Sequence, residues 1–254
     1  MRQIVIEENY EAMSRRAAEE ILQVILENPE AVIVLATGHS PQQAYRDLVE
    51  EIRKQNVDIS RVTFVKLDEW AGLSPENEAT CEYFLQKEII GPLGIREENY
   101  IHFQADCQDA DAECARINEL YRALPQVDLV ILGIGMNGHL GLNEPSDHLY
   151  ASAHVTDLNE KTKTHEMLTH TEKKVTKGIT LGMENLFRGK KILLLADGKE
   201  KELGLKGLLN DEISTAVPVS FLKLHQNCVC VINKDSFPEL ETCIPGEGEG
   251  KCWI

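Results

Sequence analysis

Three short stretches of this chain carry side chains able to move protons or hold an anion. The densest is GIGMNGHLGLNEP at 133–145, which contains Asn137, His139 and Glu144. An imidazole titrates near neutral pH and can pass a proton to and from a sugar ring oxygen, while a nearby carboxylate fixes its tautomer. The opening GIGMNG spells G-x-G-x-x-G, and Asp157 lies near the spacing of a ribose-binding acid. Gly138, Gly141 and Pro145 nevertheless break the helix that a dinucleotide site needs, so no nicotinamide cofactor is expected. The second stretch is Asp68-Glu69, directly after the apolar run VTFVKL. A carboxylate there could take a proton from carbon beside a carbonyl. Side chains alternate along a strand, so only one of the two acids can face a substrate, and a solvated loop acid is the competing reading. The third is Thr37-Gly38-His39-Ser40-Pro41. Glycine permits close backbone approach, Thr37 and Ser40 supply hydroxyls, and Pro41 suits the first helical position, so that free amides at this helix start favour an anion. That is the chemistry of a phosphate cradle, although Ser40 before Pro41 reads equally as an ordinary N-cap. Lys201, in GKEKELGL at 198–205, would complement a phosphate as a point charge, or would be a solvated surface lysine. The 8 histidines show neither H-E-x-x-H nor a Cys/His cluster with ligand spacing, so no metal site is expected.

These stretches follow apolar runs of strand length: IVI at 4–6, AVIVLA at 31–36, VTFVKL at 62–67, VDLVILG at 127–133, KILLLA at 191–196 and CVCVIN at 228–233. Helix-period stretches lie between them, at 9–27, 41–54, 79–90, 109–123 and about 199–209. Continuous Val/Ile/Leu runs alternating with amphipathic helices describe strands buried on both faces. The expectation is a three-layer α/β fold with a mainly parallel, Rossmann-like sheet flanked by helices. Further strand-to-helix units are expected at Thr180 and near Val217-Pro218-Val219-Ser220. In such sheets ligands bind beyond the carboxyl ends of the strands, where all these candidate residues fall. No hinge divides residues 1–235, which read as one domain. Residues 236–254 lose periodicity and read as a C-terminal tail ending on Trp253 and Ile254, where a partner contact is left open.

The 254 residues carry 26 Lys plus Arg against 42 Asp plus Glu, a net charge of −16. That excludes the basic face by which nucleic-acid and anionic-membrane binders displace counterions. No apolar run approaches the ~18 residues of a membrane span, and the N-terminus lacks a signal-peptide pattern. The 7 cysteines are odd in number and irregularly spaced, which points to a reducing cytoplasm rather than a disulfide framework. Cys228 and Cys230 read as strand packing.

The elements LATGHSP (35–41), FVKLDEW (64–70), GIGMNGHLGLNEP (133–145), KGITLG (177–182), GKEKELGL (198–205) and STAVPVSFLKLH (214–225) resemble those of the amino-sugar-phosphate deaminase/isomerases. These share a fold group with the 6-phosphogluconolactonases. Within the group, LDEW, Asn137, THEML at 164–168 and RGKKILLL are most similar to the galactosamine-6-phosphate branch. The resemblance implies conversion of galactosamine 6-phosphate and water to tagatose 6-phosphate and ammonia, without metal or organic cofactor. It makes Asp68 the base that moves a proton between C2 and C1, His139 the ring-opening acid/base, and Glu144 its supporting carboxylate. It assigns Thr37, Gly38, His39, Ser40 and Lys201 to the phosphate and Glu69 to the substrate. The implied partner is a small-molecule sugar phosphate, with homo-oligomerisation left open.

Three departures stand out against the glucosamine-6-phosphate enzymes. Asn137 replaces an aspartate, so Asn137 can orient the histidine but accepts no proton. His154 and Thr156 stand where an allosteric phosphate site has arginine and lysine, which puts allosteric activation in doubt. Leu168 stands where a substrate-clamping arginine is expected, leaving Lys163 or His165 to supply positive charge. If His165 does so, His165→Ala should raise KM. The alternatives in order are glucosamine-6-phosphate deaminase, a 6-phosphogluconolactonase, disfavoured by Asn143-Glu144-Pro145, and a silent sugar-phosphate sensor, raised by Asn137.

Overall fold

The computed structural model describes residues 2–238; the remainder of the expected tail, 239–254, lies outside them. The chain order is β1 (Arg2–Glu7), α1 (Tyr10–Glu27), β2 (Val32–Leu35), α2 (His39–Gln55), β3 (Thr63–Lys66) and β4 (Asp68–Trp70). Next come α3 (Cys81–Leu85), α4 (Gly91–Leu93), β5 (Tyr100–Ile101), α5 (Ala110–Ala123), β6 (Val127–Gly133) and β7 (His154–Asp157). The chain continues through β8 (Lys177–Thr180), α6 (Met183–Phe187), β9 (Gly189–Ala196), α7 (Glu202–Leu209) and β10 (Cys228–Asn233).

Seven strands form one parallel sheet in the order β1-β10-β9-β6-β2-β3-β5. The period-2 geometry of a strand divides its side chains between two apolar layers. Val32 and Val34 join one core, and Ile33 and Leu35 the other. The apolar stripes of α1 and α2 cover the second core, with Ile21, Ile25, Leu48 and Ile52 buried there. Residues of α5 and α7, such as Ile117 and Leu205, cover the first. Cys228 and Cys230 are buried in β10.

A second sheet, β4-β8-β7, is antiparallel. After Lys66 the chain leaves the large sheet, and at Asp68 it joins the small one, opposite Thr180. The base candidate therefore sits on the seam between the sheets. The strand-to-helix unit at Thr180 is β8 followed by α6. The unit expected near Val217 is a 3₁₀ helix, Pro218–Leu224, preceded by an isolated bridge between Ser214 and Val217. Pro218 has no N–H for a strand ladder and fits a first helical position instead. The packed body also runs past residue 235: the Ser236 hydroxyl donates to Asp197 at 2.8 Å, and Phe237 is buried. Among the described residues no helix is long and apolar enough to cross a membrane.

Candidate active site

β2 continues toward β3 on one side of the sheet, while β6 neighbours β9 on the other. The loops after β2 and β6 thus diverge at a topological switch point, where open α/β sheets form their crevice. A cavity of about 300 Å³ lies there. Thr37, Gly38, His39, Ser40, Asp68, His139 and Lys201 all line it.

The cradle is built by the start of α2. Gly38 has φ 93°, a left-handed conformation that glycine alone adopts without strain, and it is the residue from which the helix springs. No side chain caps this helix end. Ser40 lies inside the first turn, so its N-cap reading fails, and the leading amides remain available to an anion. The Lys201 ammonium donates to Ser40 Oγ at 3.1 Å, and burial lowers its pKa. The Thr37 hydroxyl donates to Cys81 Sγ at 3.3 Å. His39 stacks on Tyr10 with ring centroids 4.6 Å apart, and its Nε2 lies 3.3 Å from Asp197 Oδ2. The Tyr10 hydroxyl donates to the His39 carbonyl at 2.6 Å, so α1 braces the turn.

The other end of the cavity holds the acids. Asp68 is 7% exposed; burial, reinforced by the charge of Glu69, raises its pKa to about 7, with His139, Cys81 and Lys66 pulling the other way. The Cys81 thiol donates to Asp68 Oδ1 at 3.8 Å. Gly141, with φ 58°, lets the loop after β6 pass directly over this carboxylate. A β-carbon there would lie 2.8 Å from Thr180 Oγ1 and 3.4 Å from Asp68 Oδ2. Asn143 pins the same loop, its amide donating to the carbonyls of Leu140 and Leu181 at 2.8 and 2.9 Å.

His139 Nδ1 lies 3.3 Å from Glu144 Oε2, and the Thr162 hydroxyl lies 3.4 Å from the same nitrogen. Burial would raise the pKa of Glu144, but the hydrogen bond and charge of His139, with bonds from Thr162 and Asn137, hold it down to about 2. Asn137 donates to Glu144 Oε2 at 2.7 Å and accepts the His139 backbone N–H at 3.2 Å. Asn137 therefore orients the carboxylate directly and the imidazole through it. The Asn159 N–H donates to Glu144 Oε1 at 3.2 Å. Asn137 and Glu144 stand behind His139 and do not line the cavity themselves.

Glu69, expected to touch substrate, lies outside the cavity lining and is fully buried. Strand alternation turns it away from Asp68, and it accepts the N–H groups of Trp70, Cys81 and Glu82 at 2.8, 2.9 and 2.9 Å. Lys66 Nζ, also buried, donates to Glu69 and Glu82 at 2.9 and 2.8 Å. This acid locks the start of α3 against β4. The expected charge donors also fare differently from the sequence reading. Lys163 pairs with Glu160 at 2.6 Å. His165 lines the cavity, but burial lowers its pKa to about 4, so it is no cation near neutral pH. Leu168 packs against the Trp70 cluster. Cys81 and Thr162 were not foreseen, and no local pattern marks either, since each meets the site through a long-range contact.

Residues 6–231 match the family model described as glucosamine-6-phosphate isomerases/6-phosphogluconolactonase. The chain belongs to that family. A protein of Escherichia coli (strain K12) named "Putative deaminase AgaI" is 46% identical over 226 residues, covering 89% of this chain and 90% of its own. A glucosamine-6-phosphate deaminase of Thermoanaerobacter sp. (strain X514) is 35% identical over 92% of this chain and 93% of its own. A solved monomeric glucosamine-6-phosphate deaminase of the NagB superfamily superposes with a TM-score of 0.88 at 31% identity, over 92% of this chain and 98% of its own. The 6-phosphogluconolactonase of Leishmania guyanensis, at 22% identity and a TM-score of 0.75 over 94% and 99%, shares the family fold. The mainly parallel, helix-flanked sheet expected from the apolar runs is thus the fold of this family.

Proposed function

We propose that the chain isomerises and deaminates an amino-sugar 6-phosphate in the cytoplasm, with galactosamine 6-phosphate and water giving tagatose 6-phosphate and ammonia. The observation that carries this reading is one cavity with a carboxyl of raised pKa and a histidine–carboxylate pair at one end and an uncapped helix start with a lysine at the other. His139 Nδ1 is committed to Glu144, which leaves Nε2 to take the proton from the anomeric hydroxyl and return it to the ring oxygen, opening the sugar. Asp68 then removes the C2 proton, and the electron pair moves toward C1 to form an enolamine. The same carboxyl returns the proton to C1 while an N–H proton of the amine passes to O1, which leaves a C1 hydroxyl and an imine at C2. Water adds there, ammonia departs, and the C2 ketone remains. Asp68 suits this work because a base with a pKa near the ambient pH both accepts and returns a proton readily.

The test is ammonia release from galactosamine and glucosamine 6-phosphates, side by side, by wild type and Asp68→Asn. The expected outcome is preference for the galacto epimer and loss in the variant. A preference for the gluco epimer would move the substrate and keep the chemistry. No ammonia from either, with hydrolysis of 6-phosphogluconolactone, would replace the reading.

A further inference from the structure

We propose that His165 grips the substrate phosphate as a neutral hydrogen-bond donor through Nε2–H, in the same cradle as Lys201. The inference rests on the reading above that an anion occupies the cradle, and it assigns a new contact within it. His165 ends the 3₁₀ turn Thr162–Thr164 and begins another, Glu166–His170. In that second turn the Met167 backbone N–H donates to His165 Nδ1 at 3.3 Å. A nitrogen that accepts carries no proton, so the ring proton resides on Nε2. Nε2 is also the atom directed at the cradle. A β-carbon at Gly38 would lie 3.6 Å from Nε2 and 3.7 Å from Cε1. The Trp70 ring, centroid 5.7 Å away, fixes the imidazole from the side of the small sheet.

The charged and titratable groups around the ring are Glu166 on its own turn, Lys201 and Glu200 after β9, and His139 after β6. The two acids favour a proton on the ring, while Lys201 and His139 oppose it, and burial outweighs them all. Among the cavity-lining residues Lys201 alone is a lysine or arginine. A phosphate entering here would meet one ammonium, the first amides of α2, two hydroxyls and one imidazole N–H. Together these offer donors to its terminal oxygens without a second buried cation, whose desolvation is costly.

Inorganic phosphate binding by calorimetry at pH 8, together with KM for the amino-sugar phosphate, tests this on wild type, His165→Ala and His165→Gln. The alanine variant should bind phosphate about tenfold more weakly at pH 8, the size of a lost hydrogen bond to a charged group, and should raise KM more than it lowers kcat. Glutamine restores a donor and should recover most of the affinity. Histidine ¹⁵N spectra of the wild-type protein should show the proton on Nε2, with no titration of the ring between pH 8 and 6. A loss of affinity seen only below pH 6.5, an Nδ1–H tautomer, or unchanged phosphate binding in His165→Ala would each overturn the proposal. Weakened phosphate binding in a protein that releases no ammonia would instead sustain the grip and reject the deaminase reading.

Discussion

The two ends of the cavity are prepared for their work in opposite ways. At the acid end every functional side chain is held by another. Glu144 is bonded on both oxygens, and Glu69 binds three backbone N–H groups and a lysine. Readiness there takes the form of carboxylate charge confined by burial, which is why Asp68 titrates near 7. At the cradle end no side chain caps the helix start, whose first amides are the groups that favour an anion. The first arrangement answers to pH, and the second to the charge of the ligand. Substitutions at the acid end should therefore act on kcat and on folding, and those at the cradle on KM.

The largest expected effect follows from removing the proposed base. Asp68→Asn should lower kcat by about 10²–10⁴, the contribution of a positioned acid or base, with KM nearly unchanged by steady-state assay. A large rise in KM would erase the division between the two ends. For the wild-type enzyme, kcat/KM should rise with pH through a midpoint near 7 and level off above it, because the carboxyl is increasingly protonated and unable to accept below that value. Next in size, Glu69→Gln strips the buried Lys66 of one partner, and breaking such a pair costs about 3–5 kcal/mol, visible as a drop in Tm of about 10 °C. The same change removes a charge that raises the pKa of Asp68, so the acid limb should move to lower pH; a limb that stays at 7 would leave desolvation as the sole cause. Lys201→Ala should raise KM for the sugar phosphate by about 10–100-fold, the worth of a charge-assisted hydrogen bond, and spare kcat. Smallest is Asn137→Asp. A second carboxylate 2.7 Å from Glu144 should pull that acid up from about 2, yet change kcat by less than about tenfold, since Asn137 only orients.

Some of this organisation is written in the sequence and some is not. The large sheet is legible because strands buried on both faces must be continuous apolar runs, as VDLVILG and CVCVIN are. The small sheet is not, because His154–Asp157 and Asp68–Trp70 are short, and their pairing with Lys177–Thr180 joins distant parts of the chain. Alternation correctly separates Asp68 from Glu69 but cannot say what waits on the far side. Lys66 reads as the polar end of a strand, and only the two carboxylates brought to it make its burial tolerable. His165 is legible as a site residue by position, while its charge state is not, because burial decides it.

The outer edge of the large sheet carries a consequence for how the molecule is made. β1 pairs along its whole length with β10, Arg2 opposite Cys228 and Glu7 opposite Asn233. β10 is also the strand that covers β9. During synthesis the first strand must wait for almost the last, and until residues 228–233 arrive β9 presents an open edge to any passing chain. Contacts this remote in sequence are slow to form. The rate-limiting event of refolding should therefore be the docking of β10, and a nascent chain stalled before residue 228 should be a client for chaperones rather than a weakened enzyme.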